Sequence, residues 1–145
     1  MSDLDRAQIL GYLNRARALA KHAYCPYSNF HVGCVLVDHQ GRIFEGCNVE
    51  NASYSVTLCA ERTAGSQAIA QGSRDWKAIY IVSPTGVSPC GTCRQFLFEL
   101  APDLVIYLSD LESSEFTGPI RIQDMLPMGM KLQQTKLPIP TPPET

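Results

Sequence analysis

Four residues in this chain suggest a chemistry by type and spacing: Cys59 and Glu61 in Cys59-Ala60-Glu61-Arg62, and Cys90 and Cys93 in Pro89-Cys90-Gly91-Thr92-Cys93. Three cysteines offer three thiolates to one tetrahedral Zn²⁺ and leave its fourth position open, the layout of a catalytic rather than a structural site. Zinc lowers the pKa of a water held there toward ~7, so a nucleophile forms at neutral pH. Glu61, two residues after the first cysteine, is placed to carry a proton from that water to a leaving group. Arg62 follows directly and can reach a ligand sulfur, where a hydrogen bond would offset the charge of three thiolates. The parts are weaker than the whole. A lone C-x-x-C also suits redox chemistry or half of a zinc ribbon, but a ribbon wants a second C-x-x-C, which the chain lacks. Cys59 alone reads as a buried cysteine, with Glu61 and Arg62 an exposed helical charge pair worth at most ~0.2–0.5 kcal/mol. His22, His31 and His39 have no ligand-like spacing, and a fourth protein ligand would close the site.

The elements that must position these residues follow from local patterning. Ser2 or Asp3 can cap a first helix running to about Tyr24, with Leu10, Leu13, Ala16, Ala20 and Ala23 near one face. Cys25-Pro26-Tyr27-Ser28 is a turn. Phe30 to Val37 and Arg42 to Cys47 read as two strands around the turn Asp38-His39-Gln40-Gly41, a β-hairpin. Thr57 can cap a second helix from Leu58 to about Gln71, closed by Gly72. Ala78 to Val82 and Leu104 to Leu108 are short apolar runs typical of buried strands, separated by a helix from Thr92 to Leu100. Strand, helix, strand predicts a parallel crossover. A weak strand over Pro119 to Ile122 and a short helix around Gln123 to Leu126 complete the reading. The expectation is an α/β domain over residues 1–130, a three-layer α-β-α sandwich with a mixed central sheet. Residues 131–145 form a Pro-rich tail, with Pro138, Pro140, Pro142 and Pro143, expected to be disordered. Both zinc segments lie where the chain enters a helix, and the partial positive charge of a helix N-terminus favours thiolates.

Bulk composition weighs against some functions. The 145 residues suffice for one domain with a real core, and 45% hydrophobic with 18% charged residues is ordinary for a globular chain. Net charge is -2 and no block of Lys and Arg stands out, which disfavours a polynucleotide substrate. No stretch approaches a membrane span, and the polar start Met1-Ser2-Asp3-Leu4-Asp5-Arg6 does not resemble a secretory signal. A cytoplasmic chain with reduced thiols is expected, with Cys25, Cys34 and Cys47 acting as small apolar residues.

The order Cys, Glu at plus two, then P-C-x-x-C is that of zinc deaminases, which attack an amidine carbon such as C4 of cytosine and release ammonia. Beyond this pattern, the chain resembles the small homotetrameric cytidine deaminases of pyrimidine salvage. The resemblance runs from about Tyr24 to Met130 and is carried by Tyr24-Cys25-Pro26-Tyr27-Ser28-Asn29-Phe30, by Gly46-Cys47-Asn48-Val49-Glu50-Asn51-Ala52-Ser53-Tyr54, by Cys59-Ala60-Glu61-Arg62 and by Ser88-Pro89-Cys90-Gly91-Thr92-Cys93-Arg94-Gln95. It implies zinc on Cys59, Cys90 and Cys93, Glu61 as proton shuttle, and cytidine or deoxycytidine as substrate. It further implies Asn48 and Glu50 on the ribose 3′-hydroxyl, Phe30 against the pyrimidine, an Ala60 backbone N–H and the Ser88 carbonyl on the base, and Ala52 and Tyr54 facing the sugar in a neighbouring subunit of a homotetramer. On composition alone, Asn48 and Glu50 have a second and weaker reading as a polar turn after the hairpin, and Phe30 reads equally as core.

One segment departs from the family. Where its pattern is Leu-Pro-x-x-Phe, this chain has Leu126-Pro127-Met128-Gly129-Met130, so Met130 stands in place of an aromatic residue. Three other readings stay open at this level: a deaminase of another small aminopyrimidine such as blasticidin S, a polynucleotide deaminase, which more often has His at the position of Cys59, and a non-catalytic zinc-binding module in which Glu61 is dispensable.

Overall fold

The structure, a computed structural model, describes residues 1–132. Helix α1 spans Asp3–Ala20, and its start is a capping box: the Asp5 amide donates to Ser2 Oγ at 3.1 Å while the Asp5 carboxylate accepts from the Ser2 amide at 3.1 Å. The helix stops short of Tyr24 because that residue is recruited elsewhere. Its amide donates to the Asn48 carbonyl at 3.0 Å and its carbonyl accepts from the Glu50 amide at 2.7 Å.

Strands β1 (Gly33–Asp38) and β2 (Ile43–Cys47) form the hairpin. A 3₁₀ turn at Tyr54–Val56 leads to α2 (Ala60–Ala70), followed by β3 (Trp76–Ser83), α3 (Gly91–Leu100), β4 (Val105–Asp110), β5 (Thr117–Arg121) and the single turn α4 (Ile122–Met125). The sheet order is β2-β1-β3-β4-β5. Only the β3–β4 pair is parallel; the other three are antiparallel. Since β2 and β3 each run antiparallel to β1, they are parallel to one another, and α2 and α3 are both crossover helices.

Each face of the sheet has its own apolar cluster. Val35 and Val37 of β1 pack with Ile9, Leu13 and Ala16 of α1, while Cys34 and Leu36 pack with Ala60, Ala64 and Ala68 of α2 and Leu97 of α3. Alternate residues of one strand thus serve opposite layers, and every residue of β1 is buried. This is the α-β-α sandwich with a mixed sheet. The expected strand at Pro119 to Ile122 begins earlier, at Thr117, and Ile122 instead starts α4 with its side chain in the core.

One glycine sets how closely α2 approaches the sheet. A Cβ on Gly46 of β2 would clash with the Ala60 carbonyl oxygen and lie 2.7 Å from the Ala64 amide nitrogen. Asp38 fixes the hairpin turn. Its buried carboxylate accepts from the Gln40 and Arg42 amides at 3.0 and 2.9 Å, from Arg42 Nε at 2.8 Å and from the Ser73 hydroxyl at 2.8 Å, which ties the turn to the α2–β3 connection. No helix of the described residues is long and apolar enough to cross a membrane. The Pro-rich stretch from Leu137 lies outside the described residues.

Candidate active site

Cys59 and Cys90 occupy the same place in two helices: each is the residue immediately before the first turn, of α2 and α3 respectively. The expected cap at Thr57 is not used, because the chain turns into α2 at Cys59. A residue at this position ordinarily caps the free amides with its side chain. Neither cysteine does so. Their sulfurs instead approach each other at 3.9 Å, and Cys93, within the first turn of α3, brings its own sulfur so that all three lie within 4.8 Å of one another. Tetrahedral zinc with bonds of ~2.3 Å separates its sulfur ligands by roughly 3.8 Å, so this cluster fits the ion in donor chemistry and in spacing. It is the only such group of ligand side chains among the described residues, and no histidine belongs to it.

The electrostatics suit thiolate chemistry. Hydrogen bonding from the Cys93 thiol, and then from Arg62 and Cys90, outweighs burial and draws the Cys59 thiol down to about 5. The same bond to Cys59, with burial, pushes Cys93 up, so Cys59 ionises ahead of Cys93. Arg62 sits one turn into α2; its guanidinium donates to Cys59 Sγ at 3.6 Å and to the Thr57 carbonyl at 3.0 Å.

Glu61 is 5% exposed, and its carboxylate accepts from Cys93 Sγ at 3.6 Å. Burial, reinforced by the Cys59 thiolate, pushes its carboxyl up to about 6. A carboxyl poised there both takes and returns protons near neutral pH.

Cys59, Cys90, Glu61 and Ala60 line a cavity of about 390 Å³ together with Phe30, Asn48 and Glu50. Two isolated bridges, Tyr24 to Val49 and Val49 to Leu58, hold the segment around Val49 extended, so Asn48 and Glu50 point the same way. Glu50 Oε1 accepts from the Tyr27 and Ser28 amides, both at 3.1 Å. Hydrogen bonding from Ser28, foremost among these contacts, holds the carboxyl below its ordinary range. Oε2 has no hydrogen bond among the described residues and remains for a ligand. Asn48 accepts from the Val32 amide at 2.9 Å and donates to the Phe30 carbonyl at 2.7 Å. Its first task is therefore to fix the wall that carries Phe30; one amide N–H remains for a ligand. A larger depression of about 710 Å³ lies by α1 and Leu111, and none of these residues lines it.

Residues 7–109 match the family described as the cytidine and deoxycytidylate deaminase zinc-binding region. The chain belongs to that family. Among similar proteins, the cytidine deaminase of Halalkalibacterium halodurans is 42% identical over 127 residues, covering 86% of this chain and 92% of its own. That of Sporosarcina psychrophila is 42% identical over 112 residues, covering 75% and 80%. The crystal structure of cytidine deaminase from Burkholderia pseudomallei superposes with a TM-score of 0.77 at 40% identity, covering 90% of this chain and all of that one.

Within this deaminase family the matched region is zinc-binding, and zinc is the cofactor of the three-cysteine cluster. Among the residues singled out from the sequence, Cys93 of the cluster and Arg62, which donates to it, do not line the cavity, and three expected substrate contacts do not line it either. Ser88 does not line it; its hydroxyl accepts from Arg94 Nη2 at 2.8 Å. Ala52 and Tyr54 are exposed, and Tyr54 lies edge-on to Tyr27 with centroids 6.2 Å apart. Conversely, Val32, Ile81, Ser83 and Val87 line the cavity without having been singled out. Ile81 and Ser83 belong to a strand that reads as a uniform apolar run, and only alternation from a known reference residue shows which of its side chains face the site. Met130 lies beyond the matched region, 61% exposed, with its carbonyl accepting from Gln95 Nε2 at 3.0 Å.

Proposed function

We propose that this enzyme hydrolyses cytidine and 2′-deoxycytidine to uridine and 2′-deoxyuridine with release of ammonia. The observation that carries the reading is the sharing of one cavity by a buried, proton-poised Glu61, two of the three cluster cysteines, Cys59 and Cys90, and the Asn48–Glu50 pair. Zinc bound at the cysteines supplies Lewis-acid activation of water. Glu61 takes a proton from the attacking water and gives it to the ring nitrogen as water adds at C4, then takes the proton of the resulting C4 hydroxyl and gives it to the amino group, so that the C4–N bond breaks, ammonia leaves and a carbonyl remains. Glu50 Oε2 and the remaining Asn48 N–H receive the ribose 3′-hydroxyl, and both are positioned by backbone contacts that exist without a ligand. Phe30 packs on the pyrimidine; the Ala60 amide and Ser88 carbonyl pair with its polar edge. Exclusion of a phosphorylated sugar is consistent with an acidic Glu50 where the sugar sits.

The assembly we propose is a homotetramer acting in pyrimidine salvage in the cytoplasm. Tyr24, Tyr27, Val49, Tyr54, Val56 and Leu58 form an exposed apolar surface on the segments that build the cavity, the kind of patch that partner subunits cover. Ala52 and Tyr54 then serve a neighbour's sugar rather than their own. Six free cysteines suit a reducing compartment. Turnover of cytidine against 3′-deoxycytidine tests the substrate assignment: the 3′-deoxy compound should be poor, since it leaves Glu50 and Asn48 unpaired. Equal turnover of the two would remove the sugar assignment.

A further inference from the structure

The two helices that deliver the cluster share a device. Each starts at a cysteine whose sulfur is turned away from capping, and each carries an arginine in its opening turns that reaches back over that cysteine to the preceding chain. In α2 this is Arg62, on the Thr57 carbonyl and Cys59 Sγ. In α3 it is Arg94, whose backbone amide donates to the Cys90 carbonyl at 2.9 Å and whose side chain runs toward the helix N-terminus, as helical side chains do. Arg94 Nε donates to the Pro89 carbonyl at 2.8 Å, Nη2 to Ser88 Oγ at 2.8 Å and Nη1 to the Met125 carbonyl at 3.0 Å. One guanidinium thus holds the two residues before Cys90 and the end of α4. Next to it, Gln95 holds the Met130 carbonyl. Unlike Arg62, Arg94 makes no hydrogen bond to a cluster sulfur or to Glu61, so it bears on position and not on their charge.

We propose that Arg94 is a positioning residue that locks Ser88-Pro89-Cys90 in the geometry zinc and substrate require and couples this segment to the end of α4. The proposal rests on the zinc deaminase reading above. Planarity matters: three donors directed at three separate acceptors need the guanidinium fork, and a lysine ammonium on the same stem keeps the charge without the fork.

The test uses the full-length zinc protein. Arg94→Gln is expected to fold and to contain zinc as purified. Its zinc affinity, read by competition with a chelator, should fall about 10–100-fold below wild type, the range seen when groups orienting metal ligands are lost. KM for cytidine should rise as Ser88 loses its anchor, while the pH dependence of kcat keeps the wild-type midpoints. Arg94→Lys should fall between the two, and gives the same readouts if the Gln variant does not fold. Wild-type zinc affinity with unchanged KM, whatever the melting temperature, would leave Arg94 a merely structural residue and overturn the proposal. Shifted pH midpoints would overturn the separation of position from charge. Absence of zinc or of deamination in the wild-type protein is a different result and would remove the reading beneath the proposal.

Discussion

A buried carboxyl two residues from a ligand cysteine is costly to keep, and Glu61 is kept at 5% exposure against the Cys93 sulfur. The proposed role as proton carrier predicts that Glu61→Gln, nearly isosteric, retains zinc and fold but loses at least ~10²–10⁴-fold in kcat. Metal analysis and turnover on the same preparation check this; near-normal turnover would take Glu61 out of the mechanism. At the sugar end, Glu50→Ala should impair cytidine and deoxycytidine alike, because both carry the 3′-hydroxyl; a selective loss on one of them would contradict the assignment. The cluster was legible in the sequence because zinc accepts few ligand types and hydrolysis needs a carboxylate beside them, so Cys59, Glu61, Cys90 and Cys93 restrict one another. The cavity walls were not. Phe30 and Ile81 are apolar residues whose facing is decided by tertiary packing, and the backbone duty of Asn48 toward Phe30 and Val32 has no signature of its own.

Helices and sheet turn those residue types into geometry, and the tightest constraint is at Gly46. Gly46→Ala should force α2 outward at Ala60 and Ala64, costing about 1–3 kcal/mol by overpacking, and should lower kcat because Glu61 rides on the same turn. Gly11→Ala is the control. Nothing lies near its Cβ position, so in a helix interior it should stabilise by about 0.5–1 kcal/mol and leave turnover intact. Urea unfolding with turnover on each variant separates the two. Asp38 predicts a pH effect. Burial raises its carboxyl, but hydrogen bonds from Arg42, Ser73 and the Arg42 guanidinium outweigh burial and hold it below the ordinary value. The ionised form therefore stabilises the fold fully above the unfolded pKa of about 4, and that contribution is lost as pH falls through the lower folded value. Asp38→Asn should cost about 1–3 kcal/mol at pH 7 and flatten this acid limb in unfolding measured against pH. Apolar runs and alternation identified the hairpin and the buried strands, yet boundaries moved where long-range bonds compete with local propensity. Tyr24 leaves α1 to pair with Asn48 and Glu50, and Cys59 rather than Thr57 begins α2 because its sulfur belongs to the cluster.

At the scale of the molecule, the described chain leaves tyrosines and aliphatic residues open around its own site, with Tyr54 at 77% exposure. No single-chain pattern says what covers them, since a buried interface and a solvated turn can share one composition; the homotetramer proposed above rests on family resemblance. Met130 offers a measurement of it. If the chain beyond α4 reaches a neighbour's site, Met130→Phe should add aromatic contact to the pyrimidine and tighten binding by about 0.5–1.5 kcal/mol, seen in KM rather than kcat. Unchanged KM in both Met130→Phe and Met130→Ala would place that segment outside the site. All of this depends on one claim, that zinc held by the three cysteines makes the protein a nucleoside deaminase. The direct test is to incubate the wild-type protein with cytidine and follow ammonia and uridine, before zinc removal, after it, and after restoring one equivalent. The account predicts one ammonia per uridine, activity lost with the metal and regained with stoichiometric zinc. Zinc-replete protein that releases no ammonia from cytidine, or undiminished turnover after complete zinc removal, would contradict it.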